Sequence, residues 1–323
     1  MKLDTVTRPP ADGCFGRRFY LVGYLPTYAA SLFLLVLVWA GAWGWNARLN
    51  HRISFKAAWA TASHLSLGEV VLVALAVTLL AVVVHPLQLA MMSLAEGSWP
   101  AWLGTKSAQR WQQSRRSRLA RAARLPQGPE LTDEAIQRTG VAGHQLRCRF
   151  PMPDHLLRPT ALGNVLAAME DSAGRAYGLD AVTAWPRLYP VLGEQPKSLV
   201  DDRRDALDSA VRMAVTMAVT TVVSLVLLLW SGWWVLLALI PLGVAVVTYN
   251  GAVQAALGYA ETVHVAFDLH RADLLIALRM ELPTRQEAER IVNEQWCDLW
   301  RQGVPLPATL EYTLNKKADH IAR

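Results

Sequence analysis

The residues best placed to do chemistry together are Glu261, His264 and Asp268, with Asp273 a little further along. A Glu-x-x-His pair sets a carboxylate and an imidazole on one helical face, and it is the element from which di-iron bundles are built. Such a site needs a second Glu-x-x-His element and carboxylates from other helices, and the sequence holds only this one. The preferred reading is a solvated helix face with local ion pairs, so no catalytic residue, metal ligand or cofactor is assigned. His85, just ahead of Pro86, is the one ionisable side chain well inside an apolar run. An ionisable group at such a depth is a functional candidate, but its place near the cytoplasmic end of the run favours a structural role at a proline kink. Cys14, Cys148 and Cys297 are far apart and form no Cys-x-x-Cys pair. They are read as lying clear of any histidine at metal spacing, and hence as idle reduced thiols. The sequence has no phosphate-binding glycine loop, no Gly-x-Ser-x-Gly elbow and no His-Glu-x-x-His.

Three further groups point to binding rather than catalysis. Arg110, Arg115, Arg116, Arg118, Arg121 and Arg124 crowd one short segment. Beside a membrane, each such cation gains about 1 kcal/mol from anionic headgroups, so lipid is the expected ligand and nucleic acid is not. Ala214 and Ala218 are matched in depth by Gly251 and Ala255, a small-residue pattern that lets helices pack closely. Thr216, Thr220 and Ser224 form a polar stripe whose expected use is interhelical glue, with a pore lining as the alternative. Trp296 and Trp300 share one face of a late amphipathic helix with Ile291 and Leu299. That face is expected to pack on the long helix or the central region, and an exposed version of it would dock a cytoplasmic partner or a second copy.

The composition says what must hold these groups. Of 323 residues, 53% are hydrophobic and only 18% charged, with a net charge of +6 and a mean hydropathy of +0.20. A soluble domain carries about 25% charged residues, and apolar runs of roughly 20 residues are membrane spans. The fold class is therefore all-α, a polytopic membrane protein with four transmembrane helices in two hairpins and a helical cytoplasmic region. Residues 1–26 form a cytoplasmic segment, 27–46 the first span, 47–66 an outer loop and 67–94 the second span. Residues 95–210 form a cytoplasmic helical region with a basic helix at 105–125. Spans at 211–230 and 233–252 flank a tight outer turn at 231–232, and 253–323 is a cytoplasmic helical tail.

Charge sets the expected orientation. The 96–212 region carries 17 Lys and Arg, the 45–66 loop three, and the 231–232 turn none. The positive-inside rule puts both termini in the cytoplasm. Trp39, Trp43 and Trp45 mark one outer boundary and Trp230, Trp233 and Trp234 another. Arg17-Arg18 followed by Ala40-Gly41-Ala42 imitates a cleaved export signal, a reading disfavoured by the long basic segment.

Local signals add detail. Ser66 and Glu69 make a capping box. The alternation at 145–150 suggests an extended segment, and Thr160 caps a helix expected to end near Gly178. Trp185-Pro186 and Tyr189-Pro190 form an amphipathic stretch expected at the membrane surface. Ser198 with Asp201 is read as a second box that opens the third span's helix, and Thr284 with Glu287 as a third. The fourth span's helix is expected to run on to Leu282, before Pro283. No internal repeat is evident.

Leu162-Gly163-Asn164-Val165-Leu166, Tyr177-Gly178-Leu179-Asp180-Ala181-Val182 and Trp185-Pro186-Arg187-Leu188 resemble a pattern in uncharacterised multi-pass membrane proteins of high-GC actinobacteria, and Ala266-Phe267-Asp268-Leu269-His270-Arg271 fits it too. The resemblance covers roughly the second half. It implies a bacterial inner membrane and a shared interaction surface, and it carries no activity. The expected function is a non-enzymatic anchor for a helical interaction module, with an oligomeric channel lined by the third span as the alternative.

Overall fold

A computed structural model describes residues 15–43, 53–100, 104–125, 132–307 and 310. Cys14, Trp45, the joint at Pro126, Gly128 and Pro129, and the tail beyond 310 lie outside the described residues. Every element is a helix, with no strand among the described residues. Four helical stretches, Leu25–Ala42, Leu67–Val84, Glu194–Leu228 and Gly232–Ala277, are long and apolar enough to cross a membrane. The described residues fall into two compact units, one drawn from 15–95 and 206–255 and the other from 96–205 and 256–310.

The first unit holds the apolar helices. Helix α1 (Phe15–Leu37) ends in a π-helical turn, Val38–Ala42, broken where Gly41 takes φ +98°. Part of the expected outer loop is an amphipathic helix, α2 (Phe55–Ser63), capped by Ser54, whose backbone N–H donates to the Ala40 carbonyl at 3.1 Å. Helix α3 (Leu67–Val84) opens at the expected capping box: the Ser66 N–H donates to Glu69 Oε2 at 2.8 Å. His85–Leu87 is a 3₁₀ turn at the proline, and α4 (Gln88–Glu96) follows. Leu37, Ala40, Ala42 and Leu228 bury one another with Ile53 and Ala58, and Phe55 meets Trp234 edge-on at 5.5 Å. Tyr28 Oη lies 2.7 Å from Thr78 Oγ1, tying α1 to α3. Leu72, Leu75 and Leu79 on α3 stay exposed.

The second unit is built from α5 (Thr105–Ala122), α6 (Asp133–Arg149), α7 (Ala161–Ser172), α8 (Ala181–Leu188) and α11 (Gln286–Gln302). Two long helices, α9 (Glu194–Leu228) and α10 (Leu239–Ala277), contribute residues to both units. Thr160 caps α7 as expected, its Oγ1 accepting from the Gly163 N–H at 3.0 Å. Leu162, Val165, Leu166 and Met169 are buried, the stripe that the 3.6-residue period predicts.

Several expectations are corrected. Residues 145–149 are helical, because they end α6, which starts at Asp133 behind the Thr132 N-cap with Asp133 and Glu134 in its first turn and Arg147 and Arg149 in its last. Charges so matched to the helix dipole outweigh six residues of alternation. Helix α7 ends at Ser172 rather than near Gly178, since Gly174 (φ +73°) and Gly178 (φ +76°) bracket a separate 3₁₀ turn, Arg175–Tyr177. The Trp185 stretch is core, not membrane surface: Ala184, Trp185 and Leu188 are all at most 1% exposed, and Trp185 stacks near Phe267 at 5.9 Å. Helix α9 begins at Glu194 with Pro196 in its first turn, where proline is tolerated, so Ser198 is interior and donates to the Gln195 carbonyl. Asp201 accepts instead from the Tyr189 hydroxyl at 2.6 Å. Helix α10 stops at Ala277, closed by Arg279 at φ +59° and a bond from the Met280 N–H to the Leu275 carbonyl, a Schellman ending ahead of Pro283. Arg285, not Thr284, precedes α11, and no side chain caps it. The outer turn is longer than two residues, because Gly232–Ala238 is 3₁₀ rather than α-helical. His144 and Cys148 do sit one helical turn apart, with Sγ 3.6 Å from Nε2, and no third ligand joins them among the described residues.

Candidate functional site

Helix α5 has two faces of opposite character. No acidic residue occurs anywhere in 105–125. The inner face bears Gln109, Gln112 and Arg116 at i, i+3 and i+7, all polar, and each grips the same passing segment. Gln109 Nε2 donates to the Leu157 carbonyl at 3.3 Å and Gln112 Nε2 to the Pro159 carbonyl at 3.5 Å. Arg116 pairs with Asp154 and donates to the Met152 carbonyl at 2.5 Å. The helix is thus fastened along a 3₁₀ turn, Asp154–Leu156, and the strand of chain around it.

The outer face carries Lys106, Arg110, Arg115, Arg118 and Arg121, all exposed, with Arg124 just beyond the helix end. Trp111 sits among them, 58% exposed, with the Arg115 guanidinium 4.8 Å from its ring centre. Of the six arginines expected to bind headgroups, Arg116 is spent on Asp154. The other five have no carboxylate partner among the described residues. Arg115, Arg118, Arg121 and Arg124 repeat at i+3 and Lys106 and Arg110 at i+4, so like charges stack along the helix with a small mutual penalty. An isolated face of this kind is stabilised by an external anion.

A second feature of this unit is a cleft of about 410 Å³ among α7, the 178–182 segment and α11. Four arginines line it, and each is already paired on the wall: Arg158 with Glu170 at 2.8 Å and Glu96 at 3.2 Å, Arg301 with Asp180 at 2.9 Å, Arg290 with Glu294 at 2.9 Å, and Arg175 with Asp171. The four arginines face five carboxylates, Glu170, Asp171, Asp180, Glu294 and Asp298, so the cleft offers no uncompensated cation. Cys297 at its wall is buried and accepts from the Asp180 N–H at 3.3 Å. Burial pushes its thiol pKa up, which keeps it protonated and unreactive.

The Glu261 constellation disperses. Glu261 is exposed, His264 Nε2 lies 3.2 Å from Ser172 Oγ, and Asp268 accepts from the Tyr177 hydroxyl at 3.0 Å. Burial, then the Asp268 carboxylate, raises the Tyr177 pKa. Asp273 pairs with His270 at 2.8 Å. Only His270 with Asp273 is a local pair of the kind expected; His264 and Asp268 are tied instead to residues 92 and 91 positions away, on and just after α7. The docking role for Trp296 and Trp300 is corrected: Trp296 is 7% exposed against Leu275 and Met280, and Trp300 packs on it and lies under the Arg187 guanidinium at 4.5 Å. Both rings are engaged within the chain, while Ile291 at the start of that face stays 56% exposed. Likewise, Gly251 and Ala218 are exposed and a Cβ at Gly251 meets nothing within 4 Å, so they form no seam inside the chain. Ala214 is buried, Ala255 is half-buried, and Met217, Ala245 and Ala30 make the close contact.

Thr216, Thr220 and Ser224 are buried to 8%, 2% and 0% exposure. Thr220 and Ser224 donate to the carbonyls four residues back at 2.8 and 2.7 Å, so their hydroxyls are satisfied on their own helix. No protein-family model, curated protein or solved structure matches the chain. Sequence reasoning missed Lys106, Trp111 and His155. The signal lay in the glutamines at i and i+3, which mark the inner face and so define the outer one.

Proposed function

We propose that this chain is a non-enzymatic integral membrane protein in which four apolar helices anchor a helical module that binds anionic lipid headgroups. The single observation behind it is the one-sided face of α5, with Lys106, Arg110, Arg115, Arg118 and Arg121 around an exposed Trp111 and without a carboxylate partner among the described residues. Cations beside an indole suit the headgroup layer, where charge meets phosphate and an amphipathic ring is at home. The setting is a bacterial inner membrane with both termini cytoplasmic, supported by the arginine excess in 96–212 and by the resemblance to actinobacterial multi-pass proteins. Holding the module at the headgroups gives it a scaffold or regulatory role toward a cytoplasmic protein or a second copy. The channel alternative needs the Thr216, Thr220 and Ser224 stripe to face water, and its burial is why anchoring is preferred.

The test is hydrogen–deuterium exchange of α5 in the full chain, reconstituted in phosphatidylglycerol and in phosphatidylcholine nanodiscs. Amides in 105–122 are protected more in the anionic discs, and the triple change Arg115→Glu, Arg118→Glu, Arg121→Glu abolishes that difference. Equal protection of the unchanged protein in both discs refutes lipid binding by this face.

A further inference from the structure

A groove of about 360 Å³ runs between the first two turns of α5 and the Asp154–Leu156 turn. Lys106, Gln109, Arg110 and Gln113 line one side, at i, i+3, i+4 and i+7, and His155 stands on the other. Asp154 also borders it, but its carboxylate is held by Arg116, which leaves Lys106 and Arg110 as the uncompensated charges. The helix end above the groove breaks the usual rules. Its N-cap is Gly104 at φ +75°, no side chain caps it, and its first turn holds no acid but does hold Lys106. A cation at the positive end of a helix dipole is unfavourable, and an uncapped N-terminus leaves amide donors without partners. An anion bound beside Lys106 relieves the first of these.

We propose that this groove is a discrete phosphate-binding pocket, occupied by the phosphate group of a lipid headgroup or of a soluble phosphate ester. Lys106 Nζ and the Arg110 guanidinium supply charge-assisted bonds, and the Gln113 amide and the His155 ring supply further hydrogen bonds. Gln109 is already engaged with the Leu157 carbonyl and sets the groove's width. The proposal rests on the reading of α5 as a lipid-binding face and adds that one end of it is a saturable site with its own geometry, whereas Arg115, Arg118 and Arg121 act as a diffuse charged surface. The distinction is physical. A diffuse surface weakens by a similar factor for any cation removed, while a pocket fails when its own donors are lost.

The experiment compares two double variants that remove equal charge, Lys106→Ala with Arg110→Ala and Arg118→Ala with Arg121→Ala. The full chain is held in a neutral detergent and titrated with dioctanoyl phosphatidic acid, dioctanoyl phosphatidylcholine and inorganic phosphate. Binding is read by the protection of Lys106 from acetylation in the unchanged protein and the second double variant, with Lys197 as the internal control, and by retained lipid in native mass spectrometry for all three proteins. The pocket predicts saturable binding of phosphatidic acid, weakened about 100-fold by the first double variant and less than tenfold by the second. Competition by millimolar inorganic phosphate identifies a site open to soluble phosphate, and its absence with retained phosphatidic acid identifies the lipid headgroup; either supports the pocket. Equal weakening by both double variants overturns the pocket and leaves the diffuse lipid face standing. No binding of phosphatidic acid by the unchanged protein overturns both.

Discussion

Asn164 completes the backbone of Arg158: its Oδ1 accepts from the Arg158 N–H at 2.7 Å and its Nδ2 donates to the Arg158 carbonyl at 2.9 Å. A buried side-chain amide thereby does for one residue what a neighbouring strand does in a sheet. It also fixes the arginine that reaches Glu96 and Glu170. Replacing Asn164 with Leu takes the partners from two part-buried backbone groups, a cost of about 1–3 kcal/mol. The expected outcome is a marked fall in apparent melting temperature in a fixed neutral detergent. A melting temperature matching the unchanged protein refutes the assignment of this pair as a fixed point of the helical unit.

Gly178 and Gly104 share nearly the same left-handed backbone, φ +76° and +75°, but not the same surroundings. A Cβ at Gly178 falls 2.5 Å from the Arg290 carbonyl oxygen, whereas one at Gly104 meets nothing within 4 Å. Gly104→Ala therefore carries only backbone strain, about 1 kcal/mol. Gly178→Ala adds displacement of the α11 backbone and costs about 3 kcal/mol or more. Comparing the two melting curves isolates the close approach of α11, and equal losses exclude it.

What the sequence made legible follows from the range of each signal. Apolar runs, the Ser66 and Glu69 box and the Thr160 cap are local, and each stands where the residues put it. Partners distant in sequence were beyond such reading. Trp296 looked like a docking residue because its stripe is regular, but nothing local says that Leu275 and Met280 already cover it. The six arginines were visible as a group. That Arg116 faces inward to Asp154, across 38 residues, required the fold. The charged cleft draws its arginines from 158 to 301, a spread that no spacing rule detects.

Cys297 makes the stability of the helical unit depend on pH. Its thiol pKa is raised in the folded chain by burial, so the folded state binds a proton more tightly than the unfolded state. The contribution is fully present below the unfolded thiol pKa of about 8.5 and is lost as pH rises from there toward the folded value. Melting temperatures taken from neutral to mildly alkaline pH fall more steeply for the unchanged protein than for Cys297→Ala. Parallel slopes eliminate the thiol as the cause. A maleimide probe under native conditions leaves Cys297 unmodified and labels it on denaturation.

The stripe on α9 separates packing from permeation. Thr216 Oγ1 is buried without a hydrogen-bond partner, while Thr220 Oγ1 bonds its own helix. Replacing Thr216 with valine removes an unsatisfied hydroxyl at constant shape, and the expected change is neutral or stabilising. Thr220→Val gives up a bond that the helix makes to itself, with an expected loss of about 0.5–1 kcal/mol, the net worth of a typical intramolecular hydrogen bond. Both variants therefore melt close to the unchanged protein and pass no ions when reconstituted in liposomes. If the unchanged protein conducts and Thr220→Val alters that flux at preserved stability, the stripe faces water in an assembly and the anchoring reading gives way to the channel.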